Sequence, residues 1–208
     1  MRGRFISLEG GEGVGKSTQA RLLVAALAEC GVDTLLTREP GGSAGAEAIR
    51  ELLLSGPAER WSVEAEALLF AAARADHVAK TIRPALEAGR WVVCDRFLDS
   101  SRAYQGIGGA LNDADILTLH RIGSVGLLPD RTLLLALPLD ESSARAEQRD
   151  GGEADRIGGR DAAFHRAVDD AFGRFAAAEP MRFRQIDAAG SVEAVHARLM
   201  TALADLLP

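Results

Sequence analysis

The stretch EGGEGVGKST, residues 9–18, sets Gly10, four intervening residues, then Gly15, Lys16 and Ser17. Glycines at this spacing let consecutive backbone N–H groups turn inward as a nest for an anion, at the positive end of a helix beginning near Lys16. From that position the lysine ammonium reaches the β- and γ-phosphates of a nucleotide, and the serine hydroxyl can ligate Mg²⁺. The stretch expected to cradle the phosphates is Gly10, Gly11, Glu12, Gly13, Val14, Gly15, Lys16, Ser17 and Thr18. Such a loop serves switches, motors and kinases alike, so it names a ligand class and not a reaction. A guanine-reading Asn-Lys-x-Asp element is absent, because the single asparagine, Asn112, is followed by Asp113. What remains is an NTP-dependent enzyme or a nucleotide-gated binding module.

A phosphate nest works only where a strand delivers it and a helix carries it away. Short apolar runs rich in β-branched residues at 4–9, 33–37, 91–95, 131–137 and about 183–187 predict five strands. Their near-continuous hydrophobicity predicts a mainly parallel sheet covered by helices on both faces. Helices are expected at 16–30, 44–55, 62–88, 99–105, 112–126, 140–149, 161–178 and 191–206, with Pro84 kinking or dividing the long central one. In such sheets ligands bind outside the carboxyl ends of the strands. TREPGG at 37–42 and CDRFLDSSRAYQGIGG at 94–109 follow the second and third strands, so both should face the phosphate loop.

Composition narrows the partners. The 208 residues suit one domain with a sizeable core, and 47% hydrophobic with 26% charged residues is an ordinary globular mix. A formal net charge of -6 argues against general nucleic-acid binding, which needs a basic face. No run approaches the ~20 apolar residues of a membrane span, and the N-terminal apolar run is too short for a signal peptide; the expected location is the cytoplasm. Cys30 and Cys94 lack neighbours at metal-ligand spacing and are expected to be buried free thiols.

The pieces EGGEGVGKST, TREPGG, LLFAAARADHV, DRFLDSSRAYQG, LPDRTLLLALP and DRIGG, in that order over nearly the whole length, resemble thymidylate kinases, which phosphorylate dTMP with ATP. The resemblance implies a P-loop NTPase-type α/β fold, transfer of the ATP γ-phosphoryl group to dTMP for dTTP synthesis, a requirement for Mg²⁺, and a homodimer. It implies that Asp95 holds Mg²⁺ with Ser17 and that Arg96 and Arg38 contact the acceptor phosphate. The same Asp95 and Arg96 could also be a structural ion pair. By the resemblance Phe70 stacks on thymine and Arg74, four residues on, bonds its carbonyl, whereas periodicity alone reads Phe70 as core. Tyr104 would lie under the deoxyribose, excluding a 2′-hydroxyl, with Ser101 and Gln105 near the base.

Glu12 stands where some members carry an arginine, which matches the bacterial variant whose missing cation comes from a lid; its own role would be contact with the sugar 3′-hydroxyl or a metal-bound water. QRDGGEADRIGGRD, residues 148–161, is the expected lid, exposed and mobile, bearing Arg149, Arg156 and Arg160, with Arg156 as the transition-state arginine and Arg149 as a second catalytic candidate. Gly158 replaces the usual glutamate after Asp-Arg-Ile, and Ala167, Asp169 and Phe172 replace common basic, basic and tyrosine residues. The four histidines are expected on the surface or in packing roles, with a place in or near the pocket as the alternative for His77. Competing readings are another nucleoside monophosphate kinase, a deoxynucleoside kinase, or a nucleotide-gated module without transfer.

Overall fold

The computed structural model describes residues 2–107, 111–150 and 155–207. Among them are five strands, β1 (Phe5–Glu9), β2 (Thr34–Arg38), β3 (Trp91–Asp95), β4 (Arg131–Ala136) and β5 (Phe183–Asp187). They lie in the order β2-β3-β1-β4-β5, and all pair in parallel. The helices are α1 (Lys16–Glu29), α2 (Ala44–Leu54), α3 (Val63–His77), α4 (Arg83–Glu87), α5 (Leu98–Gln105), α6 (Asp113–Ser124), α7 (Leu139–Asp150), α8 (Ala162–Ala178) and α9 (Val192–Leu203).

Alternation along the strands builds two layers of core. Ile6, Leu8, Val93, Leu133 and Leu135 pack with Leu23, Leu27 and Leu199 on one face. Phe5, Val92 and Cys94 pack with Ile82, Leu86 and Phe97 on the other, where Leu134 joins Phe172 and Phe183. Both faces are therefore covered, as parallel strands require.

Local chemistry explains most boundaries. Ser43, Ser62, Asn112, Asp161 and Ser191 each accept a backbone N–H at the start of a helix. Between α3 and α4 the chain winds as a π-helical turn, Val78–Ile82. Pro84, near the start of α4, donates no backbone hydrogen bond to the preceding turn, and the wider turn absorbs that loss. A short 3₁₀ turn, Ala58–Arg60, was not expected from the sequence.

One expectation about the cysteines is corrected. Both are free, and Cys94 is buried, but Cys30 is exposed because it occupies the C-terminal cap of α1, where the chain leaves the core.

The order β2-β3-β1-β4-β5 matters for position. The chain places β2 and β3 on one side of β1 and then crosses to β4 on the other, and the loops after β1, β2 and β3 gather over one crevice.

Candidate active site

Residues 10–15 leave β1 and enter α1 through Gly15, which caps the helix in the left-handed region with φ 93°. Gly13 is also left-handed, and a β-carbon there would lie 2.0 Å from the Ser142 carbonyl oxygen, so α7 runs directly against the loop. No side chain caps α1 and no acidic residue occupies its first turn, which leaves its N–H groups for an anion.

Lys16 folds back into this loop, its Nζ donating to the carbonyls of Gly10 at 3.1 Å and Gly11 at 2.5 Å. Burial pushes the Lys16 ammonium down to about 8, and the neighbouring Arg96 charge adds to the effect. Ser17 Oγ donates to Asp95 Oδ2, so the two expected metal-facing oxygens meet. The Val14 side chain packs in the core and can serve a ligand only through its backbone.

Arg96 has a left-handed backbone, φ 68°, unusual for a residue with a side chain. That conformation costs about 1–2 kcal/mol, and complete burial of the next two residues, Phe97 and Leu98, contributes about 1.5–3 kcal/mol each, enough to impose it. The turn sends the guanidinium back over the phosphate loop. Its Nη1 donates to the Gly10 carbonyl at 3.0 Å and Ser100 Oγ at 3.1 Å, and Nη2 to Glu12 Oε1 at 2.5 Å. The Tyr104 ring lies 5.2 Å beneath it. Burial works against the Arg96 charge, but Glu12, Tyr104, Asp95 and Glu9 outweigh it and hold it protonated.

A cavity of about 390 Å³ joins this loop to the ends of β2 and β3. Expected residues that line it include Glu12, Gly13, Gly15, Lys16, Ser17, Thr18, Arg38, Phe70, Arg74, Asp95, Arg96, Ser101, Tyr104 and Gln105. Phe70 packs against the cluster of Tyr104, Ile157 and Phe172, as periodicity suggested, and also lines the cavity. Arg38 is more exposed and is held by Glu47 at 3.0 Å. Burial pushes the Tyr104 hydroxyl up to about 12, so it stays a neutral ring.

Several pairings were not legible in the sequence, although Glu9 and Glu39 stand inside EGGEGVGKST and TREPGG. Glu39 binds Arg74 Nε at 2.7 Å and His77 Nδ1 at 3.0 Å, which fixes Arg74 against the floor and makes His77 a packing residue. Glu9 accepts the Phe97 N–H at 2.7 Å and the Ser100 hydroxyl at 2.6 Å, tying α5 to the end of β1. Burial, reinforced by Asp99, pushes the Glu9 carboxyl up to about 7. Asp169, one of the departures noted in the sequence, sits 2.9 Å from where a β-carbon on Gly11 would be. Arg145 on α7 lines the cavity and was also missed.

The 148–161 segment is where expectation and structure differ most. Helix α7 continues through Asp150, the Arg149 side chain and residues 151–154 lie outside the described residues, and 155–160 form a docked turn. Arg156 is only 7% exposed and does not line the cavity. Its Nη2 donates to Glu66 and its Nε to the Leu53 carbonyl at 2.9 Å. Ile157 is buried beside Tyr104. The exposed arginine expected from glycine-rich composition is thus a buried anchor, because a carboxylate 90 residues earlier in the chain receives it.

The thymidylate kinase family model matches residues 8–199. Over the full length of both chains, the protein is 65% identical to a thymidylate kinase of Rhizorhabdus wittichii. It is 51% identical to one of Bradyrhizobium sp. (strain ORS 278), over 93% of this chain and 86% of that one. The solved structure of thymidylate kinase from Ehrlichia chaffeensis aligns with a TM-score of 0.78 at 32% identity, covering 98% of this chain and 99% of that one.

Proposed function

The chain belongs to the thymidylate kinase family and has its P-loop NTPase-type α/β fold, and on that premise we propose how its own residues divide the work of phosphorylating dTMP. The reaction takes the γ-phosphoryl group of ATP to dTMP, giving dTDP and ADP on the way to dTTP.

In the proposed arrangement Gly10–Thr18 wrap the ATP phosphates, with Lys16 on the β- and γ-oxygens. Arg96, with Arg38 at the rim, clamps the acceptor phosphate. Phe70 stacks on thymine, and Arg74 turns its free edge to the base. Its Nε and Nη2 are committed to Glu39, the Phe97 carbonyl and Ser101, which leaves Nη1 to donate to a carbonyl oxygen. Tyr104 occupies the space a 2′-hydroxyl would need. Glu12, already paired with Arg96, approaches the sugar 3′-hydroxyl or a metal-bound water.

An acceptor phosphate oxygen forms the new bond to the γ-phosphorus while the bond to the bridging oxygen of ADP breaks. No covalent enzyme intermediate is needed, so positioning and charge neutralisation carry the catalysis. Ser17 and Asp95 fit Mg²⁺, being two hard oxygen donors already in contact. Among the described residues no three His, Cys, Asp or Glu side chains converge on a metal position, so phosphate and water oxygens would complete its shell. When bound, Mg²⁺ neutralises phosphate charge. The mobile cation is assigned to Arg145, which lines the cavity, with Arg149 four residues further along as the second candidate and Arg156 as the anchor of the segment.

Residues 1–208 would act as one domain with the segment near 148–161 as its lid. No helix among the described residues is long and apolar enough to cross a membrane, and we place the enzyme in the cytoplasm. A homodimer is proposed through α3 and α6, which pack side by side and expose Leu68 and Ile122. Light scattering that gives a monomer mass at micromolar concentration removes that element.

The observation that carries the site assignment is the single cavity shared by the phosphate loop and the Arg74–Gln105 end. Its test is acceptor profiling with ATP. dTMP is expected to react far faster than its ribonucleotide counterpart and activity to vanish with EDTA. Replacing Tyr104 with Ala should raise the ribonucleotide rate relative to dTMP, and an unchanged ratio rejects the sugar assignment.

A further inference from the structure

Glu66 lies on α3 two turns before Arg74, and its side chain is 4% exposed. A buried carboxylate must be surrounded by donors or it destabilises the fold. Three converge here. Arg156 Nη2 donates to Oε2, Arg160 Nη2 reaches Oε1 at 3.0 Å and Oε2 at 2.8 Å, and Gln105 Nε2 donates to Oε1 at 2.9 Å.

The last contact fixes something that atom positions alone would leave open. Both Glu66 oxygens act as acceptors, so the Gln105 amide must face them with its NH₂ and never with its oxygen. Gln105 Oε1 is then the amide atom left for the cavity that Gln105 lines, and among the described residues it accepts no hydrogen bond. Arg74 offers a donor, its Nη1, to the same cavity.

A donor beside an acceptor matches one pyrimidine edge and opposes another. Thymine and uracil present a carbonyl oxygen next to a ring N–H, whereas cytosine presents an amino group next to an unprotonated ring nitrogen. We propose that Glu66 is a positioning residue for pyrimidine specificity: by holding the Gln105 NH₂ it presents Oε1 to the ring N–H of thymine and prevents the flip that would accommodate cytosine. Flipping would set the amide oxygen against the carboxylate, a repulsive element directed at the wrong base. The same carboxylate receives Arg156 and Arg160, and Arg160 lies 4.6 Å over the Phe164 ring, which itself packs against Tyr104. Base recognition and docking of the 155–160 turn thus share one anchor.

This inference rests on the acceptor-site reading above, and its test separates the two. kcat/KM is measured for dTMP, dUMP and dCMP with the wild-type enzyme, Glu66→Gln and Gln105→Leu. A glutamine at 66 can meet either end of the Gln105 amide, so the dTMP/dCMP ratio should fall by about tenfold or more while dTMP/dUMP stays constant. Gln105→Leu keeps the volume and leaves Glu66 its two arginines, and should lower the same ratio by weakening dTMP. It reports even where Glu66→Gln fails to fold. A dTMP/dCMP ratio unchanged in Gln105→Leu, or a uniform loss across all three acceptors in Glu66→Gln, overturns the proposal. A wild-type enzyme that rejects dTMP strikes the acceptor-site reading instead.

Discussion

Lys16→Met is expected to lower kcat for dTMP phosphorylation by about 10²–10³-fold while leaving the protein at least as stable as before. The activity loss follows from the transition state, in which negative charge spreads over the transferring group and the buried ammonium is the loop's own cation. The stability result follows from the other side of the same burial. The Lys16 charge is disfavoured where it sits, its affinity for a proton lowered by burial and by Arg96. A side chain of similar length without that charge removes the cost. Activity assays with thermal melts check both halves. A large fall in melting temperature would mean that Lys16 holds the loop together through Gly10 and Gly11 and is chiefly structural.

Arg96→Ala should lower kcat/KM for dTMP by about 10²–10³-fold with ATP binding nearly intact. The guanidinium already spans the Gly10 carbonyl, Ser100 and Glu12 over the Tyr104 ring, so little ordering remains when a phosphate arrives. Its removal also leaves Glu12 facing the incoming phosphate without that partner, which adds repulsion to the lost attraction. Arg96→Lys should recover only part of the loss, since an ammonium cannot reproduce the planar fork. Isothermal titration with each nucleotide separates the two ligands. Equal weakening of ATP and dTMP, or of neither, would count against an acceptor clamp.

Much of this arrangement is legible in the sequence. The strand positions followed from apolar runs, and the nest followed from Gly10, Gly15, Lys16 and Ser17, because both are written in consecutive residues. Pro84 marked the division of the central helix, although not the π-helical form it takes. What escaped was pairing between distant residues. Glu39 and Arg74 are 35 positions apart, and Glu66 and Arg156 are 90 apart. No spacing rule connects them. The exposure of Arg156 was misjudged for that reason: glycines and mixed charges read as solvated chain, and the buried carboxylate that receives it lies on another element. Arg145 escaped differently, as one arginine on a polar helix until α7 is packed against Gly13.

The central claim is that one crevice holds both nucleotides with the γ-phosphate of ATP aimed at the phosphate of dTMP. A crystal structure with a non-hydrolysable ATP analogue, dTMP and Mg²⁺ tests it most directly. The account predicts the triphosphate wrapped by residues 10–18, the acceptor phosphate on Arg96, and thymine between Phe70 and the Arg74–Gln105 edge. Nucleotides bound in separate cavities, or thymine seated away from Gln105, would contradict it.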